Sequence, residues 1–99
     1  MAGRIDFDDL REIALVTLPE ILQRWLPDGR VERGEYVALN PTRADRHRGS
    51  FKINLRSGVW CDFATNEAGS DPIALVAYLD GISQAEAVRR IRAALGVTP

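Results

Sequence analysis

The chain has 99 residues, 45% of them hydrophobic and 27% charged, with a formal net charge of −1; this is ordinary for a soluble globular domain and leaves room for one domain with one core. No apolar run approaches the roughly 20 residues of a membrane span, and the start, MAGRIDFDDL, lacks the cationic-then-apolar order of a signal peptide. A single cysteine, Cys61, excludes an internal disulfide and any cysteine-rich zinc site, and fits a reducing cytoplasm.

Residues 6–26 predict two short helices. Phe7, Leu10, Ile13 and Ala14 follow helical spacing, as do Leu18, Ile21, Leu22 and Trp25. Thr17 to Glu20 has the form of a capping box, with Pro19 in the first turn, where its missing N–H costs nothing. Asp6, Asp8 and Asp9 precede an apolar helix, where acids favour the N-terminal dipole, so they read as helix-start residues and not as metal ligands. Pro27, Asp28 and Gly29 stop the second helix.

From residue 30 to 63 the pattern changes to short strands, predicting an antiparallel sheet of three or four. Val31–Arg33 and Tyr36–Leu39 flank a turn placed at Gly34-Glu35; Phe51–Leu55 and Val59–Phe63 flank one placed at Ser57-Gly58. Between the hairpins, NPTRADRHRGS forms a polar loop over residues 40–50. Residues 64–70 read as a further polar loop. Asp71-Pro72 then opens a helix with Ile73, Val76, Ala77 and Leu79 on its apolar face and Gly81 at its end. Ser83 to Glu86 is a second capping box, starting a helix with Ala85, Val88, Ile91 and Leu95 inside and Arg89, Arg90 and Arg92 outside. Helices, sheet and helices (6–26, 30–63, 71–95) within one domain over residues 1–99 make an α+β fold, a small antiparallel sheet flanked by two helix pairs.

Charge is unevenly spread. Residues 30–56 carry Arg30, Arg33, Arg43, Arg46, Arg48, Lys52 and Arg56 against Glu32, Glu35 and Asp45. Such a local excess steers a polyanion more than the total charge does. With a two-residue turn at Ser57-Gly58, Leu55 faces Trp60 and Lys52 faces Phe63. One face then holds Phe51, Ile53, Leu55 and Trp60, with Asp62 as its misfit, and belongs to the core. The other holds Lys52, Asn54, Arg56, Val59, Cys61 and Phe63. That mixture suits single-stranded nucleic acid: cations track phosphates and a ring stacks a base. The expected nucleic-acid-binding set is Arg43, Arg46, Arg48, Lys52 and Arg56 for phosphates, Phe63 for stacking and Asn54 for a base edge or phosphate. Trp60 is assigned to the core and Asp71 to helix capping.

No Gly-rich phosphate loop, Ser/His/Asp set or acidic metal cluster is present. Cys61 has only His47 as a potential base and reads as a buried structural thiol. The chain is therefore expected to be non-catalytic and to use no cofactor or metal.

The order of several segments resembles the N-terminal zinc-binding domain of bacterial-type DNA primases. The segments are Tyr36-Val-Ala-Leu-Asn-Pro41, Gly49-Ser-Phe-Lys-Ile-Asn54, Gly58-Val-Trp-Cys-Asp-Phe63, Gly69-Ser-Asp71 and Leu79-Asp-Gly-Ile-Ser-Gln-Ala-Glu-Ala87. They follow the family's Cys-Pro-x-His, Pro-Ser-Phe, Cys-x-x-Cys, Gly-Gly-Asp and Leu-x-Gly-x-Ser-x-x-Glu-Ala pieces over about two-thirds of the chain. On this resemblance the four zinc-ligand positions fall on Asn40, Arg43, Asp62 and Thr65, none of them cysteine or histidine, so the metal is absent. A polar network among these four, with Arg43 paired to Asp62, is expected in its place. The wording also looks like the start of phage and plasmid primase–helicase proteins. It implies a single-stranded template-binding module working with a primase catalytic or helicase domain, in cis or in trans, in phage or mobile-element DNA replication. The alternative is a module that docks a replicative helicase or primase partner without touching DNA. Residues 96–99 fall near where a linker to a further domain begins in such proteins.

Overall fold

The computed structural model describes residues 7–96; Asp6 and residues 97–99, and the readings placed on them, lie outside the described residues. Two helices, five strands and two helices follow in order. Helix α1 spans Phe7–Val16, with Asp8 and Asp9 in its first turn, and α2 spans Leu18–Trp25. The break between them does not use the expected capping box. Thr17 has near-helical torsions (φ −95°, ψ 13°), and its hydroxyl donates backward to the carbonyls of Ile13 (2.8 Å) and Ala14 (3.3 Å). Turned toward the preceding turn, the hydroxyl makes no cap bond to the following one. Pro19, lacking an N–H, ends the first helical ladder.

The sheet is a meander, β1 (Arg30–Glu32), β2 (Glu35–Ala38), β3 (Phe51–Asn54), β4 (Trp60–Asp62) and β5 (Glu67–Gly69), each strand antiparallel to its chain neighbours. It differs from the sequence expectation in three places. The first hairpin turns at Arg33-Gly34, one residue earlier than expected, with φ values of 52° and 79°. A two-residue hairpin of this kind needs positive φ at both central positions, and glycine fits the second. The second hairpin pairs Ile53 with Trp60 and Phe51 with Asp62, a register two residues from that expected, because the loop takes four residues, 55–58, and not two. Asn54 sets that loop: its side-chain oxygen accepts from the amides of Arg56 and Ser57 (2.9 Å each), and its carbonyl accepts from Gly58 (2.9 Å). A shift of two leaves every strand residue on its original face. Third, residues 67–69 form a fifth strand where a loop was expected. Asn66 adopts φ 62° and allows the tight return.

Phe51, Ile53, Tyr36, Ala38 and Trp60 form the core face, packed against Leu18, Leu22 and Leu26 from α2 and its end and Leu75 from α3 (Pro72–Asp80). The Trp60 indole lies against Gly69, directly opposite on β5, where an added Cβ would sit 2.4 Å from the ring. Asp71 caps α3 as expected, accepting from Ala74 N (2.8 Å), and Gly81 ends the helix in a left-handed conformation. The helix buries two sides and not the single stripe expected. Leu75 faces the sheet, while Ile73 and Val76 pack with Ala14, Ile21, Ala87 and Ile91 in a second cluster between helices. In α4 (Gln84–Leu95) Ala87 and Ile91 are the buried residues, and Ala85, expected inside, is exposed. Ser83 caps through its hydroxyl, which accepts from Glu86 N (3.1 Å). The Glu86 carboxylate completes no box; it turns to Arg89 and Arg90.

Candidate nucleic-acid interface

Strand pairing places two rows of side chains on the outer face of the sheet. One row runs Arg30, Val37, Lys52, Cys61, Ala68 across five strands. The next holds Glu32 opposite Glu35 and Glu35 opposite Asn54, then Val59, whose carbonyl accepts from Asn54 N at 2.7 Å. Phe63 follows β4 and donates its amide to the Ser50 carbonyl (2.8 Å), which sets its ring beside the start of β3. No described helix seals this face: Phe63 is 65% and Val59 48% exposed. Val37 is the exception, buried within the row. Glu35, Lys52, Asn54, Val59, Cys61 and Phe63 line a shallow groove of about 320 Å³.

The residues expected to bind nucleic acid divide into three groups. Lys52, Asn54 and Phe63 share the outer face, as the side-chain alternation implied. Arg56 belongs to the turn after β3 and not to the strand, and Arg46 and Arg48 lie on the 40–50 loop; all three are exposed. Among the described residues Arg46, Arg48 and Arg56 make no ion pair, while Lys52 Nζ stands 4.0 Å from Glu35 Oε1. Arg43 commits its Nε and Nη2 to a dense set of intramolecular bonds. Asn54 keeps only its amino group for a ligand, its oxygen being held by the turn. Cys61, expected as a buried thiol, is partly exposed on this same face. Trp60 is buried and donates Nε1–H to the Asp71 carbonyl (3.2 Å).

Glu35 is the groove residue that sequence reasoning missed. Placing the first turn at Gly34-Glu35 removed it from the strand; the turn at Arg33-Gly34 returns it to β2, facing Asn54. The positive-φ requirement at the second turn position is the signal that would have found it.

Beneath one end of the platform lies a polar knot. Asp62 is fully buried and accepts from Arg43 Nε (2.8 Å) and Nη2 (3.2 Å), from Asn40 Nδ2 (2.8 Å) and from the Ala64 amide (2.9 Å). The Arg43 guanidinium holds the Asp62 carboxyl down to about 2, against burial, which pushes the other way. Arg43 also donates to Ser50 Oγ (2.9 Å) and sits 3.3 Å from Asp45. Asn40, itself buried, donates to Tyr78 Oη (2.8 Å) and accepts from Thr42 N and Oγ1. Tyr78 in turn donates to Glu67 (2.7 Å). The knot thus ties the 40–50 loop to β4, to β5 and to α3. Thr65, expected as its fourth member, contributes no side-chain bond to it; its amide donates to the Asp62 carbonyl (3.2 Å) and its hydroxyl accepts from Glu67 N. These residues do not fit zinc. One brings a fixed positive charge and the others an amide, a hydroxyl and a carboxylate already satisfied by donors.

No protein-family model matches this chain, and no curated protein matches it. No helix among the described residues is long and apolar enough to cross a membrane.

Proposed function

We propose that the chain is a non-catalytic module that binds single-stranded DNA and presents it to a primase or helicase domain. The observation that carries the reading is the open outer face of the sheet. There an exposed phenyl ring lies beside Lys52, and Arg46, Arg48 and Arg56 at its two ends make no ion pair among the described residues. Base stacking on an aromatic side chain contributes about 1–3 kcal/mol per base without regard to sequence. The segments resembling bacterial-type primase zinc-binding domains support the same reading, and the knot joins Asn40, Arg43 and Asp62, three of the four positions on which that resemblance puts metal ligands.

Titration of a labelled single-stranded oligonucleotide against salt tests it. Four engaged cations, Arg46, Arg48, Lys52 and Arg56, correspond to a slope of about −3 in log affinity against log salt, at roughly −0.7 per phosphate. The acids Glu32 and Glu35 in the same sheet keep the affinity modest. Absence of binding at low salt by a folded chain sinks the proposal. It favours the second reading, docking of a replication protein. That alternative rests on the apolar groove between α1 and α4 lined by Leu10, Ile13, Val88, Ile91 and Leu95.

A further inference from the structure

The outer face holds two carboxylates, Glu32 and Glu35, opposite one another on β1 and β2 where a polyanion is to bind, and this conflict limits how DNA can lie there. Glu35 and Asn54 are direct partners across β2 and β3, which puts their Cβ atoms ~5 Å apart on one face. Lys52 is too far from Glu35, at 4.0 Å, for a tight hydrogen bond, so the carboxylate keeps acceptor capacity. The Asn54 amide is oriented by its turn: with the oxygen accepting from Arg56 N and Ser57 N, the NH₂ group points elsewhere and has no partner among the described residues. Beside it, just before β4, Val59 offers exposed apolar surface. β2, β3 and the residue before β4 therefore present an acceptor-only group, a donor and a nonpolar patch, in that order.

Phosphate is repelled by the carboxylate, so a base edge and not the backbone approaches Glu35. Single-stranded bases are read on their Watson–Crick edges. Guanine alone carries two adjacent donors, N1–H and N2–H₂, next to an acceptor, O6. Cytosine and adenine offer a carboxylate one amino group, and thymine offers one imide N–H. Resting on the DNA-binding reading above, we infer that Glu35 and Asn54 select guanine in single-stranded DNA. The two Glu35 oxygens accept from N1–H and N2–H₂, the Asn54 NH₂ donates to O6, and the base lies on Val59. Phe63 stands opposite Ser50, four residues along β3 from Asn54 or about 13 Å, and stacks a different nucleotide.

The test is titration of the full chain with a labelled oligothymidylate, and with the same oligomer carrying guanine, cytosine or adenine at its central positions. Guanine is expected to tighten binding roughly tenfold over thymine, the effect of one good bidentate base contact. Glu35→Gln is expected to remove most of that gain while strengthening binding of oligothymidylate, since a repelling charge has gone. Asn54→Asp retains the acceptor that holds the turn and replaces the donor, so it too loses the guanine gain. Thermal unfolding of each variant separates a lost contact from a lost fold. If all oligomers bind alike, or if the guanine gain survives Glu35→Gln, the inference is overturned while DNA binding stands. If no oligomer binds at low salt, the DNA-binding reading fails and the inference falls with it.

Discussion

Arg43 Nε donates to Asp62 Oδ2 at 2.8 Å, joining the 40–50 loop to the strand that precedes Phe63. Asp62 faces the core and is fully buried, yet each of its oxygens has partners, so its charge is compensated on the spot. Removal of the carboxylate leaves the Arg43 guanidinium and the Asn40 amide without their main acceptor. Asp62→Ala is expected to destabilise the fold by about 3 kcal/mol, measured by denaturant unfolding, and Asp62→Asn by less.

The same pair makes stability depend on acid. Asp62 is held at about 2 in the folded chain against an ordinary 3.8. A carboxyl depressed by folding contributes stability that is fully present above its unfolded value and is lost as pH falls through the folded one. The thermal midpoint should therefore drop between about pH 4 and pH 2 more steeply in the parent than in Asp62→Asn. Equal slopes in the two proteins would remove Asp62 as the source.

Phe63 and Trp60 separate binding from folding. Phe63 is largely exposed, so Phe63→Ala should weaken binding of single-stranded DNA by about 1–3 kcal/mol and leave the unfolding midpoint nearly unchanged. Trp60 is 3% exposed and packs on Phe51, Tyr78 and Gly69. Trp60→Ala should cost about 3–5 kcal/mol of stability. A large loss of stability in Phe63→Ala would show that the ring serves the core.

Lys52 and Arg56 provide an electrostatic check. Replacing both with Gln is expected to flatten the salt dependence by about 1.4, twice the single-strand increment of roughly 0.7, without lowering stability. An unchanged slope would place the phosphates elsewhere on the molecule.

Gly69 tests the close packing of β5 on the indole. Gly69→Ala puts a methyl group 2.4 Å from the Trp60 ring, and the resulting overpacking should cost about 1–3 kcal/mol, read by thermal unfolding.

Sequence reasoning reached the four helices, the two central hairpins and the division of β3 and β4 into a core face and an outer face. These depend on apolar periodicity and side-chain alternation, which are local properties. It misplaced what depends on turn geometry. Gly34 belongs at the second position of its turn, and Asn54 opens a four-residue loop; neither follows from hydrophobic pattern. Glu67-Ala68-Gly69 has little intrinsic strand preference and becomes β5 only because β4 offers an unpaired edge. Thr17 carried the residue types of a capping box, but near-helical torsions directed its hydroxyl backward. The Arg43–Asp62 pair was expected from the family resemblance and is present. Its bearing on Arg43 was not drawn from sequence: Nε and Nη2 are committed to Asp62, Ser50 and Asp45, which leaves only Nη1 to face outward.

Every strand in the sheet pairs only with those next to it along the chain. No β-hydrogen bond waits for a distant segment, and entropy lost in closing each loop stays small. The sheet can thus assemble as successive hairpins, whereas α1 and α2 complete their packing only after α3 has been reached, through contacts such as Arg11 with Asp71 and Trp25 with Asp80. Refolding should show the helical layer completing its docking last, onto a sheet whose outer side has already taken shape.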